Sequence, residues 1–368
     1  MSRAEPPPST ETPVGTLELR KIELTAPDAA IEAYIDHFSE REWVIRMESR
    51  GAFMGLLMGL ELDPSHRSLL FDAQYWTPLP EGDGFLVKPA PEHLRRLTPV
   101  ERAEVFRELA FWLDNKPERW PLVISSESTF ARLASSGVSA PMIQRVRELC
   151  YPFAGGWALS DFSVIADEFK DRAMLATLLR EISTVPSTLP RLNLRTVVSV
   201  SETLEYWTVN HQNPFALPLL EALLDSETTN GIEVLSIMPG SARVLSLNLD
   251  ADEVSHDIYL SSFMISASLA GLPPRFQNPD QIHRWLESRF RPVPSPARYG
   301  DLRVFVQPDE HPVEFACAQI AENIVFARDP VGLGLWQFMR IEDLLRRNPH
   351  FAGGDFQIRR AVKPAATP

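Results

Sequence analysis

The residues best suited to chemistry stand at the end of a hydrophobic run. Leu245-Ser246-Leu247-Asn248-Leu249 delivers Asp250 and Asp252, with Glu253 behind them. Paired carboxylates at the end of a strand are the oxygen ligands that hard cations such as Mg²⁺ or Mn²⁺ take. The same residues also make a helix start. Asp250 suits the N-cap, and Asp252 and Glu253 fall in the first turn, where the helix dipole favours negative charge. An apolar segment from Val254 onward supplies the rest of that helix. A cap needs only this local sequence. A metal site needs further carboxylates or carbonyls, and no other segment identifies them. The expectation is a helix cap and no metal.

Other residues with chemical potential have plainer readings. His256 lies one turn into the same segment, beside Leu260 and Phe263 at helical spacing, as a packed or solvent-facing histidine does. Glu310-His311-Pro312-Val313-Glu314 places His and Glu three apart, but the intervening Pro312 breaks the helix that would aim them at one ion. Ser125-Ser126-Glu127-Ser128 resembles a phosphate-holding helix start, yet it has no glycine and Glu127 opposes an anion, so Ser126 reads as an N-cap. Cys150 falls with Met142, Ile143, Val146 and Leu149 on an apolar helix face, as an inert buried thiol. Two cysteines, Cys150 and Cys317, make no disulfide framework. Gly332-Leu333-Gly334 is a lone G-x-G.

The short signatures of P-loops, dinucleotide folds, serine hydrolases and zinc proteases are all missing from the sequence. From Leu245 to Glu253, Asp-x-Asp after a strand resembles the first motif of haloacid-dehalogenase phosphatases and the metal motif of many glycosyltransferases. That resemblance implies a divalent-metal-dependent transferase or hydrolase using Asp250 and Asp252, with Mg or Mn as cofactor. It departs from the phosphatase pattern in lacking any Lys between Lys170 and Lys363.

The elements that must position these residues read as α+β. A strand at 14–24 alternates Leu17 and Leu19 against Glu18 and Arg20. A helix follows at about 27–38, with strands expected at 42–47, 69–76 and 85–88. The clearest helix starts at Thr98: Thr98 caps, Pro99 suits the first position and Glu101 completes a capping box. Phe111 falls on its polar side and is expected to find a second packing partner. Then come a strand at 121–125, helices at 127–134, 141–150 and 167–182, and a loop at 151–157. The second half reads as a strand at 195–201, a helix from Asn213 to about 225, and a hairpin of strands 232–238 and 243–249. A long helix at 251–270, a helix at 278–290, a connector at 291–296, strands at 302–306 and 314–317, a helix at 341–347 and a strand at 356–362 follow. Helices and strands do not alternate strictly, which favours α+β over a doubly wound parallel sheet. Two lobes are expected, each a mainly antiparallel or mixed sheet with packed helices. The N-terminal lobe is 14–182, the Pro-containing stretch 183–194 a linker, and the C-terminal lobe 195–362, with disordered tails at 1–13 and 363–368.

Composition bounds the function. The 368 residues are 44% hydrophobic and 23% charged, ordinary values for a packed chain. The net charge of -13 opposes a nucleic-acid partner, since phosphate binding needs a positive field. Arg346, Arg347, Arg359 and Arg360 are the nearest thing to a basic patch, and they read as solvated faces. Of 36 basic residues 5 are Lys and 31 are Arg, the bias of a GC-rich bacterial genome. The longest apolar run, Ala52 to Leu60, is far short of the ~20 residues a spanning helix needs. With no secretory signal visible, a cytoplasmic location without membrane partners is the expectation. The scattered tryptophans read as core and interface aromatics, not as a stacking platform. The leading functional expectation is a non-catalytic binding or protein-interaction module, needing no cofactor and meeting a basic protein partner. The metal-dependent enzyme is the alternative.

Overall fold

The computed structural model describes residues 9–12, 14–38, 42–47, 50–70, 72–112, 114–124, 126–154, 156–209, 213, 215–226, 228–240, 279–306, 315–329, 333–348 and 355–362. The chain divides into two compact units. One comprises Met1–Leu24, Pro186–Asp329 and Gly334–Pro368, the other Thr25–Val185 and Pro330–Leu333. The second unit is therefore an insertion in the sequence of the first.

The first unit opens with β1 (Ser9–Thr12) and β2 (Gly15–Leu24), antiparallel, with Thr12 opposite Gly15. Residues 9–12 thus depart from the tail expected there. Ladder bonds come from the backbone and need no apolar side chains. Gly15, at φ +122°, takes a conformation that other residues resist, and so closes the turn. In β2, Leu17 and Leu19 are buried while Glu18 and Arg20 are not, as the alternation requires.

In the inserted unit, α1 (Asp28–Phe38) and β3 (Trp43–Ile45) come first. The segment expected as a strand at 69–76 is different: α2 (Arg50–Met58) and α3 (Pro64–Leu70) lead through a 3₁₀ turn into β4 (Trp76–Pro78). Pro64 opens α3, and Asp63 holds its first turn by accepting from Ser65 N at 2.8 Å. β5 (Phe85–Val87) pairs with both β3 and β4. α4 (Pro91–Arg96) precedes α5 (Pro99–Leu109), whose capping box forms as the sequence predicts: Glu101 N donates to Thr98 Oγ1 at 3.2 Å and Thr98 N to Glu101 Oε2 at 2.8 Å. Phe111 is 79% exposed and, among the described residues, makes a ring contact with Trp112 alone. α6 (Lys116–Arg119), β6 (Leu122–Ile124), α7 (Glu127–Ser135) and α8 (Ala140–Leu149) follow.

The loop expected at 151–157 is a hairpin, β7 (Tyr151–Phe153) and β8 (Gly156–Leu159), and β8 also pairs with β6. Its aromatic residues suit a pleated surface better than their Pro and Gly neighbours suggested. The helix expected at 167–182 is two, α9 (Phe162–Phe169) and α10 (Arg172–Ser183). Lys170, at φ +50°, ends the first, and Asp171 caps the second by accepting from Met174 N at 3.1 Å. Val105, Phe106, Leu109, Ile124, Leu133, Met142, Val146, Ile165, Leu178 and Leu179 are all buried here.

Back in the first unit, β9 (Val185–Asn193) occupies the stretch expected as a linker. A strand tolerates Pro186 and Pro190 where no neighbour needs their N–H. The 195–201 strand is instead a 3₁₀ turn leading to α11 (Val200–Trp207), capped by Ser199. α12 (Ala216–Leu224) follows, then β10 (Gly231–Glu233), pairing with β9. The first arm of the expected hairpin turns helical after that, as α13 (Val234–Ile237), and its second arm lies outside the described residues. An apolar run this short carries no period of its own. α14 (Pro279–Arg289), β11 (Phe290–Pro292), β12 (Leu302–Val306), β13 (Phe315–Ala321), β14 (Ile324–Arg328), β15 (Trp336–Arg340), α15 (Ile341–Arg347) and β16 (Asp355–Ala361) complete the chain.

These strands make one 10-stranded sheet in the order β1-β2-β9-β15-β14-β13-β12-β16-β11, with β10 beside β9. Its centre is buried on both faces. The register Ala318–Phe326–Phe338 puts those side chains on one face, in a core with Leu17, Leu192, Trp207, Leu220 and Ile237. Cys317, Val325 and Met339 lie on the other, covered by Ile341 and Leu344 of α15. The protein is α+β with antiparallel sheets. Among the described residues, no helix is long and apolar enough to cross a membrane.

Candidate functional site

Asp250, Asp252, Glu253 and His256, with the long helix expected around them, lie outside the described residues, as do Glu310, His311 and Glu314. Among the described residues, no group of three or more His, Cys, Asp or Glu side chains is placed to hold a metal ion. Ser126 sits at the N-cap of α7, but its Oγ lies 2.7 Å from Ser128 Oγ instead of accepting from the helix. Both thiols are buried. Burial pushes Cys150 up to about 12 against the pull of Arg102 and Arg147, and pushes Cys317 to about 12 against Arg303. Neither is a poised nucleophile. The arginines nearest to a basic patch, Arg346, Arg347, Arg359 and Arg360, each have a partner. Arg360 grips Asp301 with two bonds of 2.7 Å, Arg347 reaches Asp329 at 2.8 Å, Arg346 reaches Asp343 at 2.6 Å, and Arg359 donates to Gln357.

The surface that stands out is on α12. Its sequence, Ala216-Leu217-Pro218-Leu219-Leu220-Glu221-Ala222-Leu223-Leu224, holds one charge in nine residues. Pro218 fits because it is the third helical residue, where no intrahelical N–H is yet needed. Asn213 does not cap this helix. Its Nδ2 donates to Ile237 O at 2.7 Å, tying the helix start to α13. At 3.6 residues per turn, Ala216, Leu220 and Leu223 share one face. Ala216 and Leu220 are fully buried against the sheet core, and Leu223 packs partly against it.

The outward face is also apolar. Phe215, Leu219 and Ala222 recur at i, i+4 and i+7, with Pro218 beside them, and all four are exposed. Phe215 is 76% exposed and Leu219 39%. Scattered exposed hydrophobics are ordinary, but a contiguous stripe on a helix whose neighbouring face is already buried in the core is not. Glu221 and Asp225 border the stripe on the same helix and are exposed. Glu202 and Glu205 are exposed on α11, which packs against α12. Among the described residues, none of these four carboxylates forms an ion pair. In the inserted unit, by contrast, Arg172 pairs with Glu32 and Asp36, Arg145 with Glu168, and Arg147 with Glu127.

The sequence explains the difference. From Thr196 to Ala242 there is no Lys or Arg, while Glu202, Glu205, Glu221, Asp225, Glu227 and Glu233 are all acidic. Only Glu233 meets a cation, Arg20 at 3.6 Å, among the described residues. That charge segregation was readable in advance. The outward exposure of Phe215 and Leu219 was not, because α12 is apolar nearly all round. Against protein-family models, curated proteins and solved structures, the chain has no match.

Proposed function

We propose that this chain is a non-catalytic protein-binding module of bacterial, cytoplasmic origin, and that a basic protein partner docks on the outward face of α12. The observation that carries the reading is the exposed stripe Phe215–Leu219–Ala222, set on a helix packed against the sheet core and bordered by exposed carboxylates. Fully burying an exposed Phe side chain contributes about 1.5–3 kcal/mol, which makes Phe215 the main anchor of such an interface. A photo-reactive benzoylphenylalanine at position 215, expressed in the native cells, tests it, with position 111 as control. A discrete heteromeric crosslink from 215, absent from 111, supports the reading. Crosslinks at 215 no different from those at 111 would overturn it. The metal-dependent transferase or hydrolase on Asp250 and Asp252 rests on the sequence alone. Heat on calorimetric titration with Mg²⁺ or Mn²⁺, lost in Asp252→Ala, would promote it.

A further inference from the structure

We infer that the occupant of the α12 face is a cationic amphipathic helix. Its apolar residues cover Phe215, Leu219 and Ala222, and its flanking Lys or Arg side chains meet the carboxylates around them. This inference rests on the reading that the face is a protein-docking surface, and adds the chemistry of the partner.

The stripe has the form of half a helix–helix contact. Positions i, i+4 and i+7 along α12 span two turns, about 10 Å of axis, which a partner helix covers with its own i, i+3, i+4 and i+7 residues. The helix that presents them is held against the sheet core by the buried Ala216 and Leu220 on its adjoining face. The electrostatics then select among partners. Glu221 and Asp225 stand on α12 itself, Glu202 and Glu205 on the helix packed against it, and no Lys or Arg interrupts the sequence from 196 to 242. A two-fold pairing of this face with a second copy would bring each carboxylate towards its own equivalent. An anionic lipid surface would meet the same repulsion. A neutral helix would leave the carboxylates unused, whereas a cationic one gains both encounter rate and register from them.

The test uses the full chain and two fluorescein-labelled synthetic helices of equal length. Both carry Leu at i, i+3, i+4 and i+7, and one carries Lys, the other Glu, at the flanks. Fluorescence anisotropy is read for wild type, for F215S/L219S, and for E202Q/E205Q/E221Q/D225N, each first shown to melt as wild type. The Lys helix should bind wild type, and each variant should weaken it about tenfold or more. Raising salt from about 50 to about 500 mM should weaken it further. If the Glu helix binds as well as the Lys helix and F215S/L219S abolishes both, the cationic inference falls and the docking surface stands. If neither helix binds, or binding ignores F215S/L219S, both fall.

Discussion

Arg102 Nε donates to Asp161 Oδ2 at 2.8 Å, and both side chains are wholly buried. The guanidinium also donates to Leu94 O at 2.6 Å and Glu148 O at 3.2 Å, so one residue of α5 ties together α4, α8 and the start of α9. A charge this deep persists only while its partner does. Asp161→Ala should therefore cost about 3–5 kcal/mol in a urea melt, the usual loss when a buried charge is stranded. Replacing Arg102 and Asp161 together by Met and Leu should cost clearly less than the single change. Equal losses would mean that packing, and not the ion pair, matters at this position.

Glu101 serves two elements. It completes the cap of α5, and it accepts from Asp63 N at 2.7 Å, with both carboxylate oxygens 3.0 Å from His66 Nδ1. Burial by itself would raise its pKa. The backbone N–H groups of Asp63 and Thr98, with His66, outweigh that and hold it below the ordinary 4.5. A carboxyl depressed on folding contributes stability that is present above its unfolded value and is lost as pH falls through its folded one. The gap in urea midpoint between wild type and Glu101→Gln should be constant near neutrality and should close as pH drops below about 4.5. A gap that does not change with pH would contradict this.

Gly334 sits at φ +64°, and a Cβ built there would lie 2.9 Å from Arg328 Nε. That same nitrogen donates to Gly334 O at 2.8 Å, and Arg328 is 1% exposed. Gly334→Ala should destabilise by about 1–2 kcal/mol or more, from the left-handed backbone and the displaced guanidinium together. A thermal melt within error of wild type would show that the segment moves aside without cost.

Cys150 and Cys317 are 2% and 0% exposed, and burial holds both protonated at neutral pH. The thiolate is the reactive form. Ellman's reagent at pH 8 should label neither in the native protein and both in guanidinium chloride. Fast labelling of one thiol without denaturant would place it in an opening segment and reopen a redox role.

Much of the local structure follows from the sequence without further help. The Thr98–Glu101 capping box, the alternation of β2, the helix at 341–347 and the short strand at 122–124 are each set by neighbours within a turn or two, where capping and period act directly. The α+β class follows from the order of such segments. Charge segregation between 196 and 242 is likewise a property of the sequence alone, and so is the Asp250–Asp252 pair.

Tertiary packing decided the rest. No strand is expected from the sequence at Ile324–Arg328 or Trp336–Arg340, because β14 and the middle of β15 are buried on both faces and so show no alternation. β9 contains two prolines and reads as a connector. It is a strand because β10 and β15 pair with it, and those partners lie far along the chain. The turn to helix at Val234 buries Val234 and Ile237 in the sheet core, a destination that the short apolar run does not encode. Phe215 and Leu219 illustrate the same limit for function. Leu219 and Leu220 are identical residues at adjacent positions, and the sequence has no means to rank them. The sheet core takes Leu220 and leaves Leu219 outside, because successive helix positions are turned by about 100° and only one can face the core.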